Sequence, residues 1–103
     1  MNAQELTLNI AVNLGRLGRW AGEGRLNRLN QFLDETELYI HQLESLPKSP
    51  RFQKTFDAFI ETFNGLRSNM SLDPAWAEMM FTWANILTHR ARSVDRQDKL
   101  TLI

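Results

Sequence analysis

The chain has 103 residues, 43% hydrophobic and 23% charged, with 12 Lys plus Arg against 12 Asp plus Glu. This is the length of one domain with enough apolar residues for a core, and zero net charge is not the basic excess of a dedicated nucleic-acid binder. Cysteine is absent, which excludes disulfides, thiolate zinc sites and cysteine nucleophiles.

Apolar spacing predicts helices throughout and no strand. The first helix is expected from Ala3 to Ala21, with Leu6, Ile10, Leu14, Leu17 and Ala21 on one face and Trp20 on its flank. Its opening, "MNAQELTLNIAVNL", has no basic leader and is interrupted by Asn9 and Asn13, so it does not read as a signal peptide. No run approaches the roughly 18 apolar residues of a membrane span. Asn13 lies near the apolar face, where a polar group sets register or meets a buried partner. A second face carries Leu8, Ala11, Gly15, Gly18 and Gly22. Glycine inside a helix costs about 1 kcal/mol relative to alanine. Three on one seam imply a compensating gain, the close approach of another helix.

Gly22-Glu23-Gly24 is expected to reverse the chain, since glycine is a poor helix former and a good C-cap. A competing arrangement exists. Leu8, Gly15, Gly22, Leu29, Thr36 and Leu43 recur every seven residues, so the first two helices could run through as one long helix closed by a partner. The second helix is expected from Arg25 to Leu46, on a stripe of Leu26, Leu29, Leu33, Thr36, Ile40 and Leu43 widened by Phe32 and Tyr39. Pro47 and Pro50 bracket the connector after it. Ser49 caps the third helix ahead of Pro50, and Phe52, Phe56, Phe59, Phe63 and Leu66 form its core stripe beside Ile60. That helix ends at Asn64–Gly65 or runs on to Ser68. Asp73 and Pro74 start the fourth, which buries Trp76, Met79, Met80, Trp83, Ile86 and Leu87. Phe81 points away from that stripe, alongside Ala77, Ala84 and Thr88. The expected architecture is all-α: a four-helix bundle of two antiparallel helical hairpins over residues 1–92. A C-terminal tail, 93–103, follows, frayed or ordered only by docking Leu100, Leu102 and Ile103.

Three groups of residues suggest functions. Arg16, Arg19, Arg25 and Arg28 cluster around the first turn and could bind phosphates without reading bases. The competing reading is a solvated corner whose arginines pair with Glu23, Asp34 and Glu35. The stretch "YIHQLESL" resembles the histidine phosphotransfer domains in a few residues. His41 and Leu43 match that family's pattern, which would make His41 the phosphorylated residue. Glu44 and Ser45 stand where lysine and glycine are expected, and a carboxylate beside phosphohistidine repels it. Asp34, Glu37, His41 and Glu44 share one flank of the second helix, but carboxylate-bridged metal bundles need Glu-x-x-His pairs on two helices. That flank reads as solvated.

The remaining signal is apolar surface outside the core stripes: Leu38, Phe81 and the seam of Gly15, Gly18 and Gly22. No catalytic template, phosphate loop or dinucleotide glycine pattern is present. The leading expectation is a small, cytoplasmic, non-catalytic protein without cofactor or metal that works by protein–protein contact, as a homo-oligomer or subunit, away from membranes. Accessory nucleic-acid binding through the arginines comes second, and phosphotransfer third.

Overall fold

The computed structural model describes residues 1–95 as four helices and a terminal turn of 3-10 helix. These are α1 (Ala3–Glu23), α2 (Leu26–Glu44), α3 (Pro50–Ser68), α4 (Pro74–Arg90) and the 3-10 turn Ala91–Ser93. The protein is an all-α helical bundle. Contacts between the helices give every neighbouring pair an antiparallel sense. Arg16 meets Phe32 and Trp20 meets Arg28 between α1 and α2. Leu66 meets Trp76 and Thr55 meets Arg90 between α3 and α4. Gly18, late in α1, lies against Ala77 and Phe81, early in α4.

Side-chain capping starts three of the helices. Asn2 and Glu5 form a reciprocal capping box on α1, a signal the sequence reading passed over. Ser49 and Asp73 accept from the backbone N–H groups of Phe52 and Trp76, each ahead of a proline in the first turn. α2 has no side-chain N-cap. Its C-terminal end is closed by Lys48, whose ammonium donates to the carbonyls of Leu43, Glu44 and Leu46 and lies 5.1 Å from the Phe56 ring centroid. Burial lowers the Lys48 pKa from its ordinary value.

The long-helix arrangement is not adopted. α1 ends at Glu23, and Gly24 takes a left-handed conformation with φ 69°, its N–H donating to Trp20 O. Gly22 stays within the helix, so a single glycine reverses the chain. α3 runs past Gly65 to Ser68. In the next loop Leu72 has φ 57°, a conformation that costs a non-glycine residue about 1 kcal/mol or more.

The core joins the expected stripes of all four helices. Phe52, Phe56, Phe59 and Phe63 are fully buried, each contributing about 1.5–3 kcal/mol by removal from water. Phe59 packs at 5.6 Å from the Trp83 ring, and Trp76 Nε1 donates to Leu66 O across 2.9 Å. Three expected core residues lie outside the packed cluster, the partly buried Ile86 among them. Leu26 is 54% exposed, because it is the first residue of α2 and lies beyond the end of the packed stripe. Met79 is also partly exposed. α1 lies closest to α4 and α2, whereas α3 meets α4 through longer side chains. Residue size explains the difference: Ala11, Gly18, Ala77 and Ala84 line the α1–α4 seam, and phenylalanines line α3.

Packing continues beyond Arg92. Val94 is fully buried, Ser49 N–H donates to Val94 O at 2.6 Å, and Ser49 Oγ donates to Ser93 O at 3.0 Å. Leu100, Leu102 and Ile103 lie outside the described residues.

Candidate functional site

The glycine seam divides into two parts. Gly18 packs inside the chain: a Cβ there would fall 2.9 Å from the Phe81 ring and 3.1 Å from Ala77 O. The second apolar faces of α1 and α4 therefore cover one another at this point. Gly15 and Gly22 have nothing within 4 Å of a Cβ position and open outward. Phe81, although its ring edge touches Gly18, is 47% exposed.

Nearer the start of α1, Leu8 is 37% and Val12 51% exposed, in the helical row that continues to Gly15. The sequence reading missed Val12. Its signal was the four-residue spacing from Leu8. The first half of α1 and most of α4 carry little charge. Glu5 is the one charged residue of α1 before Arg16, Arg19 and Glu23, and Glu78 is the one charged residue of α4 before Arg90. Leu38 is 55% exposed but sits apart on α2, among the polar residues of its outward face.

The four arginines do not converge as a free group. Arg16 stacks 5.5 Å above the Phe32 ring and Arg28 5.5 Å above Trp20. The two rings meet at 5.0 Å, completing a run of guanidinium, ring, ring and guanidinium across α1 and α2. Arg25 pairs at 2.8 Å with Glu23, one of the partners expected for these arginines. Asp34 is bound by Arg67 of α3, whose Nη1 lies 3.0 Å from Glu37 Oε2, close but not aligned as a hydrogen bond. The flank stays largely exposed, as expected, and the correction is to the partner of Asp34, because α3 supplies a cation that spacing on α2 alone cannot reveal. Arg19 has no ion-pair partner among the described residues.

Asn13 is buried, and its Nδ2 donates to Glu35 Oε1 at 3.4 Å. The interaction of the Tyr39 hydroxyl with the Glu35 carboxylate, followed by burial, raises the Tyr39 pKa above its ordinary 10.0. The Asn13–Glu35 contact joins α1 to α2 and fixes their register. His41 is exposed, with Nδ1 3.0 Å from Glu44 Oε1. An incoming phosphoryl group would meet that carboxylate. Among the described residues, no three His, Asp or Glu side chains converge to hold a metal ion, and no helix is long and apolar enough to cross a membrane. Comparison with protein-family models, curated proteins and solved structures gives no match, so the functional reading rests on this geometry alone.

Proposed function

We propose that the protein is a small non-catalytic interaction module that pairs with a second copy of itself through the outer wall of α1 and α4. One observation carries this reading. Leu8, Val12 and Phe81 are large exposed apolar groups on α1 and α4, the pair of helices with fewer charged residues. Cores of protein interfaces are depleted of charge and enriched in aromatics. α2 and α3 carry five Asp, Glu, Lys or Arg residues each, against four on α1 and two on α4, and charged groups are costly to dehydrate. The open position at Gly15 leaves room beside Val12 for a ring from the second protomer, and a twofold pairing uses the same wall on both sides.

Sedimentation velocity across the micromolar range tests this. The wild-type chain is expected to shift from monomer to dimer as concentration rises, and Val12→Lys to hold it as monomer with unchanged helicity. A wild-type chain that stays monomeric throughout sinks the proposal.

A second reading, accessory nucleic-acid binding, has the Arg16–Phe32–Trp20–Arg28 stack in its favour, since rings and guanidiniums are the groups on which bases stack. Against it, those guanidiniums already cover rings of the same chain, and Arg25 is paired. Salt-sensitive binding of a single-stranded oligonucleotide, lost on Arg19→Glu and Arg28→Glu, would support it; no binding at low salt removes it.

A further inference from the structure

At the end of the bundle opposite the Gly24 turn, two concavities of about 290 Å³ and 430 Å³ adjoin one another. The first is lined by Arg51, Phe52, His89, Arg90 and Ser93, and the second by Pro50, Arg51, Lys54, Thr55 and Arg90. Arg51 and Arg90 line both. No carboxylate lines either one among the described residues, and no ion pair there occupies Arg51, Lys54, His89 or Arg90. The neighbouring Asp57 is engaged by Gln53 Nε2 at 2.8 Å, and Asp95 is exposed beyond the 3-10 turn.

The walls are held in place by three parts of the chain. Arg90 Nη1 donates to Thr55 Oγ1 at 2.7 Å, joining the end of α4 to α3. Ser49 binds Ser93 and Val94 and caps α3 through Phe52 N–H, joining the 3-10 turn to the same helix start. A chain of zero net charge thus keeps several cations together at one end, where their mutual repulsion is unrelieved by any lining carboxylate.

We infer that this cleft binds a polyphosphate, the phosphate groups sitting in the two adjoining concavities and bridged by Arg51 and Arg90. Guanidinium groups match phosphate oxygens through paired N–H donors, and Lys54 adds a point charge. Two concavities sharing two arginines suit linked phosphates rather than one isolated anion. The apolar side chains in the lining are Phe52, itself almost fully buried, and Pro50, so only the Pro50 ring is offered to an organic body. The cleft recognises charge, and the phosphates can arrive as an inorganic chain or on a nucleotide.

Calorimetric titration of the full chain with tripolyphosphate, ATP and acetate tests the assignment, with amide chemical shifts locating the contact. Tripolyphosphate is expected to bind with an affinity that falls as salt rises and to shift the amides of Arg51, Lys54 and Arg90. The Arg51→Gln, Lys54→Gln double variant is expected to lose about tenfold in affinity or more, since charge-assisted bonds to phosphate are removed. Both side chains are exposed, and an unchanged melting temperature would show that the fold survives. ATP binding equal to tripolyphosphate supports a site that reads only the phosphates, and tighter ATP binding supports a nucleotide. No binding at roughly millimolar ligand, equal binding of acetate, or undiminished binding by the double variant overturns the assignment.

Discussion

Gly18 and Phe81 are matched across the α1–α4 seam: the ring edge occupies the space that a β-carbon on residue 18 would need, at 2.9 Å. Gly15, one turn earlier on the same helix, has no such neighbour. The two glycines should therefore respond oppositely to the same substitution. Gly15→Ala is expected to stabilise the fold by up to about 1 kcal/mol, the helix-propensity difference. Gly18→Ala receives the same gain but incurs an overpacking cost of about 1–3 kcal/mol, for a net loss near 1 kcal/mol. In a Phe81→Ala background the ring is gone, and Gly18→Ala should lose most of its penalty. Urea denaturation of the four variants completes the cycle. Equal effects at 15 and 18 would show that the seam is looser than the structure describes.

Ser49 holds three things at once: the start of α3, the carbonyl of Ser93 and, through its backbone, Val94. Ser49→Ala removes the cap and the bond to Ser93, and a loss of about 2 kcal/mol is expected from two such bonds. Asp73→Ala, which removes only the cap at Trp76 N–H, should cost about half as much. Thermal melts followed by circular dichroism give the ratio.

Arg67 links α3 to Asp34 and Glu37 on α2, and all three side chains are partly exposed. Solvent screening keeps such pairs weak, so Arg67→Met is expected to cost no more than about 1 kcal/mol. That difference should shrink as salt is raised. A salt-independent loss would mean that the arginine stem, not its charge, packs the two helices.

The Tyr39 pKa lies above its ordinary 10.0 because its hydroxyl interacts with the Glu35 carboxylate, with burial adding to the shift. A raised folded-state pKa means that the folded chain binds the proton more tightly than the unfolded chain. Its contribution is complete below pH 10.0 and is lost as pH rises from there through the folded-state value. Glu35→Gln should bring the Tyr39 titration, followed by phenolate absorbance, back toward 10.0 and narrow that alkaline loss. An unchanged titration would place the cause elsewhere.

The helices and their core faces were legible in local pattern. Ser49-Pro50 and Asp73-Pro74 start α3 and α4 where the sequence indicates, and the phenylalanines at 52, 56, 59 and 63 are all buried. These features depend on a cap, a ring with fixed φ, or a repeat of three to four residues, all of which act within one helix. The turn was legible in kind but not in detail. Gly22 and Gly24 compete as terminators, and only Gly24 leaves the helical region.

What the sequence could not settle was which residues meet across helices. Asp34 and Glu37 share an exposed flank of α2, and nothing in the α2 pattern marks Arg67, which α3 brings to both. Phe32 joined the arginine corner only when α2 folded back on α1. Arg51 and Lys54 are separated by more than 30 residues from His89 and Arg90, and no periodicity relates them. Local chemistry on this chain sets the helices, their ends and their buried stripes, because those depend on neighbours within one turn. Only tertiary packing decides that Gly18 faces inward while Gly15 opens outward, and that one end of a neutral chain gathers cations. Those outcomes depend on crossing and register between helices, which are set jointly by the sizes of side chains far apart in sequence.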